Sequence, residues 1–234
     1  MNIFRGRHLY TDRVRRTRSI VRAGYENMTD GMDTKSMMAE FVGSLAVTLL
    51  VFGDMAANGE DGHGTAAMAG AAGVCLAIMW MTFKGSEILP ILTIGNMASG
   101  RTDWQKGATN FSMQILGGLI AAGIIFWQAE SLDGSSFADA DKLEATGAVT
   151  ALVGGFLMMI VWDRLGAGWE SGAFAAILVL AGVTLSSASA LGGMIVESAW
   201  TQDNFVNILG TMIVGGIGAA AALMVGDQIL GEEE

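Results

Sequence analysis

Phe83-Lys84-Gly85-Ser86-Glu87-Ile88-Leu89-Pro90-Ile91-Leu92-Thr93-Ile94-Gly95 is the stretch whose reading decides the fold. The apolar run from Ala66 to Phe83 is interrupted by charge at Lys84 and Glu87, then resumes for only a few residues. Crossing about 30 Å of hydrocarbon takes roughly 20 apolar residues in a helix, so the resumed piece cannot cross. The later half of the chain repeats the pattern. Gly182-Val183-Thr184-Leu185-Ser186-Ser187-Ala188-Ser189 is a polar patch at the end of the run from Phe174 to Ala190, and the short apolar piece from Ala190 to Ala199 contains Glu197. Backbone broken at membrane depth is tolerated only where it lines a cavity or is buried in protein. Paired interruptions in corresponding halves point to a permeation site. The plainer reading is an ordinary loop at Lys84 and another near Ser189.

Four further apolar stretches flank these two: Met37–Phe52, Phe111–Trp127, Ala148–Trp162 and Phe205–Val225. The composition agrees with a polytopic membrane protein. Of 234 residues, 52% are hydrophobic and 15% charged, against about 25% charged in a typical soluble domain. With 33 Gly and one Pro the chain is neither a disordered acidic protein nor, with one Cys, a disulfide scaffold. A net charge of −10 argues against nucleic acid as a partner.

All Lys and Arg except Lys142 fall on one side if the six spans leave both termini inside. That is the positive-inside pattern of a cytoplasmic-type membrane, with acidic loops outside. Residues 1–35 form a basic segment in which Ile3, Phe4, Leu9 and Val14 alternate with arginines. It reads either as an amphipathic helix on anionic lipid or as a disordered arm, with Arg13, Arg15, Arg16 and Arg18 as its lipid- or partner-docking residues. Residues 36–130 then form a first three-helix repeat, 131–146 an acidic external loop, 147–226 a second repeat and 227–234 an acidic tail.

The third and sixth spans support the repeat. Asn110-Phe111-Ser112-Met113-Gln114-Ile115-Leu116-Gly117 is matched by Asn204-Phe205-Val206-Asn207-Ile208-Leu209-Gly210, and both continue in Gly and Ala. Three spans per half invert the second half relative to the first. The expected fold is therefore all-α, with six transmembrane helices in two inverted repeats and broken second and fifth helices.

Few residues offer chemistry. Glu87 is an intramembrane carboxylate, a functional hypothesis by default, or a cap for the short helix that follows it. Glu197 reads as a group at the outer interface. Thr109, Thr184, Ser186, Ser187 and Ser189 offer hydroxyls, which suit a neutral solute, or else serve helix packing. Cys75 reads as a buried thiol and Lys84 as a snorkelling side chain. Trp80, Trp127, Trp162 and Trp200 fall near span ends, as interfacial aromatics do. His8 and His63 lack ligand-spaced partners, so no metal or cofactor is expected. With no nucleophile–base pair and no phosphate loop, an enzyme is the least expected reading.

Several segments resemble the formate/nitrite transporter family. Gly85-Ser86-Glu87-Ile88-Leu89 is similar to its G-(A/S)-(D/E)-L-F-T segment; Asn110-Phe111 with Leu116-Gly117 to its third span; Gly182, Ser186 and Ala188 to its fifth; Leu209-Gly210 with Gly215-Gly216 to its sixth. The resemblance spans roughly residues 37–226. It implies a homopentamer with an aquaporin-like architecture and one pore per protomer. The constriction it implies is built from Glu87, Leu89, Pro90, Thr109, Asn110, Thr184, Leu185 and Ser186. The chain departs from that family where its threonine, histidine and lysine fall opposite Pro90, Leu185 and Thr109. The implied function is thus a passive channel of altered selectivity for a small weak acid or neutral solute. One alternative is a non-conducting subunit of a larger membrane complex. Another is an aquaporin-like water or glycerol channel, whose two Asn-Pro-Ala boxes have only Leu89-Pro90-Ile91 and Val196-Glu197-Ser198 as counterparts, with its selectivity arginine opposite Ala199.

Overall fold

The computed structural model describes residues 33–58, 64–129, 143–183, 185, 188–198 and 200–229. Beyond Thr34 these belong to the compact unit Lys35–Glu234. Arg13, Arg15, Arg16, Arg18, Thr184, Ser186, Ser187, Ala199, most of the acidic loop and the last five residues lie outside the described residues.

Apolar sequence without proline makes long helices, and the eight helices among the described residues follow the six runs and two fragments. They are α1 Thr34–Asn58, α2 Gly64–Thr82, α3 Pro90–Ala98, α4 Trp104–Ala129, α5 Ala145–Leu165, α6 Trp169–Leu180, α7 Ser189–Val196 and α8 Gln202–Ile229. By length and hydropathy α1, α4, α5 and α8 can each cross a membrane, while the apolar parts of α2 and α6 are shorter.

Both interruptions are real ends of helix. Pro90 opens α3 at its first position, where a missing N–H costs nothing. The fifth span runs earlier than its hydropathy suggests, from Trp169 to Leu180 rather than from Phe174 to Ala190. The reason is Gly182. It sits at φ +74°, and the bonds from Gly182 N–H to Val179 O (3.0 Å) and Val183 N–H to Leu178 O (2.9 Å) close a Schellman turn. The second fragment begins at Ser189, one residue from the expected Ala190, but the box counterpart is not at its start. Val196-Glu197-Ser198, the counterpart sought for a second box, ends α7 instead of starting it: Glu197 N–H bonds back to Gly193 O at 2.8 Å, and Ser198 turns left-handed at φ +57°. The residue before the first turn of α7 is Ala188.

The packing repeats across the two halves. The short α3 packs on α4 of its own half and on α8 of the other, and α7 packs on α8 and, across the halves, on α4. The symmetry-related α2 and α6 pair with each other, and α5 lies along α8. Glycine permits these approaches. A Cβ on Gly73 would lie 2.6 Å from Gly172 O, and one on Gly192 would lie 2.6 Å from Gly118 O. A Cβ on Gly155 would collide with the Gly215 carbonyl. Small residues at crossings are how membrane helices gain contact where lipid supplies no hydrophobic drive.

Exposed apolar side chains such as Leu50, Ile78, Phe126, Val149, Ile177 and Ile217 cover the outside, as a lipid-facing surface requires. Trp127 and Trp200 are exposed near helix ends, in keeping with interfacial positions. Trp80 is not: it is wholly buried, with its indole N–H turned inward.

A Gly155→Val change should force α5 from α8, at a cost of about 1–3 kcal/mol or more. Gly123→Ala, whose Cβ meets open space, should leave stability unchanged or slightly raised. Thermal unfolding of the two variants in detergent measures the difference.

Candidate functional site

The loop into α3 is a tight structure. Ser86 N–H and Oγ both donate to Phe83 O, at 3.0 and 2.7 Å. Leu89 N–H donates to Glu87 O at 2.7 Å, which closes a three-residue turn around Ile88. Ile88 pays for that turn with φ +63°, a region a β-branched residue almost never occupies.

Glu40 of α1 holds the strained turn. Its side chain is wholly buried, and its two oxygens accept the N–H groups of Glu87 and Ile88, both at 2.6 Å. Hydrogen bonds to a charged group contribute about 1.5–3 kcal/mol each. Two of them outweigh the about 1–3 kcal/mol of strain in one residue. Gln114 of α4 braces the carboxylate: its Nε2 lies 2.7 Å from Glu40 Oε2 and 2.8 Å from Thr93 Oγ1. Ser44 Oγ donates to Gln114 O at 2.7 Å, so α1 and α4 are joined by polar groups as well as packing. Trp80 Nε1 donates to Glu87 O at 3.2 Å, and Asn96 Nδ2 donates to Glu87 Oε1 at 2.7 Å.

Glu87 therefore does not cap α3. The residue at the cap position is Leu89, in extended conformation and without a side-chain bond to the helix. Ala188 occupies the cap position of α7, also without one. Both half-helices start on apolar, buried side chains. Around the start of α3, one contiguous apolar cluster joins Ile88, Leu89, Ile91 and Leu92 to Val47 and Val51 of α1, Trp80 of α2, Met158 and Met159 of α5, Leu178 of α6 and Leu223 of α8. Val183 and Leu185 pack against it.

A cavity of about 660 Å³ opens where α2 ends and α6 begins, lined by Met81, Lys84, Gly85, Trp162, Asp163, Gly166 and Ala167. Arg101 pairs with Asp163 at its rim.

Of the expected constriction, Glu87, Leu89 and Pro90 are together at the start of α3, and Leu185 packs on the same apolar cluster. Thr109 does not join them. Its hydroxyl bonds back to Gln105 O at 2.8 Å, the usual use of a helical threonine facing its own preceding turn. Asn110 is buried one turn before Gln114 and accepts a long bond, 3.5 Å, from Ser36 Oγ. Thr184 and Ser186 lie outside the described residues.

The family model described as Major intrinsic protein matches residues 27–164, more than half of the chain. The chain belongs to this family, that of the aquaporins. A solved aquaglyceroporin from Plasmodium falciparum superposes with a TM-score of 0.67 at 14% identity, over 85% of this chain and 97% of that one, so the two share the fold. No curated protein sequence matches. The protein is thus an integral membrane protein with the aquaporin-like inverted repeat, and its family is one of passive channels rather than enzymes.

The resemblance to formate/nitrite transporters is not supported, and the pentamer it implied is not supported either; oligomers in this family are usually tetramers. Leu89-Pro90-Ile91 stands at the start of α3, and Ala188-Ser189-Ala190 at the start of α7.

The sequence reading missed Glu40, Gln114, Asn96 and Thr93. A signal for Glu40 was present: a lone carboxylate inside the apolar run Met37–Phe52 is costly unless partnered. Replacing it by alanine strands two buried N–H groups, at about 1–3 kcal/mol each. Glu40→Ala should therefore lower the melting midpoint far more than Ser36→Ala, which loses only the 3.5 Å contact. Circular dichroism melts of both variants test this.

Proposed function

We propose that this protein is a passive channel for a small, weakly hydrated neutral solute, of which ammonia is the model, and that it admits water and polyols poorly. The observation that carries this reading is the apolar residue at both half-helix starts, Leu89 and Ala188, where aquaporin boxes place asparagine. An asparagine amide replaces hydrogen bonds that a solute leaves behind in water. Leucine and alanine cannot, and an unreplaced bond costs about 1–3 kcal/mol or more. Apolar constrictions also gate by dewetting. The helix N-termini still offer partial positive charge, which disfavours cations at the centre.

The second reading is a non-conducting subunit of a membrane complex. It is favoured by the continuity of the apolar cluster, in which Trp80, Met158 and Met159 are wholly buried.

Stopped-flow measurements on proteoliposomes separate the two. The channel reading expects ammonia or methylamine uptake above that of empty vesicles, with water and glycerol close to the empty-vesicle rate. Leu89→Asn, alone or with Ala188→Asn, should raise water flux about tenfold, which corresponds to about 1.4 kcal/mol off the barrier. High water flux in the unaltered protein would overturn the selectivity. No flux of any solute through folded, inserted protein would favour the structural subunit.

A further inference from the structure

Two buried carboxylates meet at the base of α3 with no positive charge opposite them among the described residues. Glu40 is wholly buried and Glu87 is 5% exposed. Among the described residues no Lys, Arg or His lies within ion-pair distance of either. The groups that face them are neutral: Trp80 from α2, Asn96 and Thr93 from α3, and Gln114 from α4. Lys84, three residues before Glu87, is exposed. Glu40 is satisfied by three donors. The acceptors left over are Glu87 Oε2 and, in the same network, Gln114 Oε1, both buried and without a hydrogen-bond partner. Gln114 turns its amide into this site, since its Nε2 binds Glu40.

Two carboxylates taken out of water with no cation beside them are costly. Buried acceptors without donors are rare in folded proteins. What the site lacks is one unit of positive charge that can meet an oxygen atom. We propose that the Glu40–Glu87 pair is a binding site for a single small monovalent cation, an alkali-sized ion held against Glu87 Oε2. The occupant neutralises one of the two charges and leaves the other, on Glu40, to hold the Glu87–Ile88 turn. Occupancy is thereby coupled to the loop that delivers Leu89 to the centre of the bundle. The site is independent of which solute the channel passes.

The test uses the full-length protein in detergent and its Glu87→Gln variant, in which the amide supplies donors to the same space. Melting midpoints are compared in lithium, sodium, potassium and ammonium chloride against choline chloride at equal ionic strength. An alkali-type occupant raises the wild-type midpoint by about 3 °C or more in one of the salts, through linkage, and leaves Glu87→Gln unmoved. A wild-type midpoint that does not distinguish these salts from choline chloride would overturn the proposal. Glu170→Gln, an exposed carboxylate on α6, serves as a control and should behave as wild type. Equal salt responses in wild type and Glu87→Gln would likewise overturn it.

Discussion

The two hydrogen bonds from the Glu87 and Ile88 N–H groups to the Glu40 carboxylate are the constraint on which the first half of the molecule depends. A chain that stops being helical inside a membrane exposes backbone donors that lipid cannot satisfy. Glu40 meets two of them at once, and the geometry of its two oxygens sets the left-handed conformation of Ile88. From that turn Leu89 and Pro90 follow, and from Pro90 the direction of α3. Gln114 and Ser44 then fix the carboxylate between α1 and α4, so the position of a short helix is tied to two long ones.

The second half shares the packing of the first without a buried carboxylate in the corresponding long helix. The α5 sequence, the counterpart of α1, has no carboxylate between Ala145 and Val161. At its half-helix, α7, backbones approach closely, with Gly118 against Ala188 and Gly192 against Gly118. The pseudo-twofold relation survives in packing, where α3 lies on α8 and α7 on α4. Packing by small residues transmits shape without charge.

Each half-helix begins on a side chain that cannot hydrogen-bond, and the residues around the first are apolar from five helices. Neither cap side chain can replace a hydrogen bond that a solute leaves behind in water, and the proposed selectivity rests on that.

Hydropathy was sufficient for the membrane class, the apolar runs, the two interruptions and the inverted repeat, because lipid demands long apolar helices and backbone demands a reason to break them. It placed Leu89 and Pro90 at the first break for the same reason. It put the start of α7 within one residue but misplaced the end of α6, since a Gly182 turn ends that helix inside an apolar run. Trp80 looked like an interfacial aromatic and is a buried donor to Glu87, and Thr109 looked like a pore hydroxyl and bonds to its own helix. Most telling is Glu40, 47 residues from its partner Glu87. What the sequence by itself determined is local: how far each segment can run as helix in lipid, and where it must stop. Which carboxylate meets which amide, and which side chains fill the centre, were decided only by the tertiary structure. Those contacts join residues whose separation along the chain carries no periodic signal, and their energy exists only once water and lipid have been excluded between them.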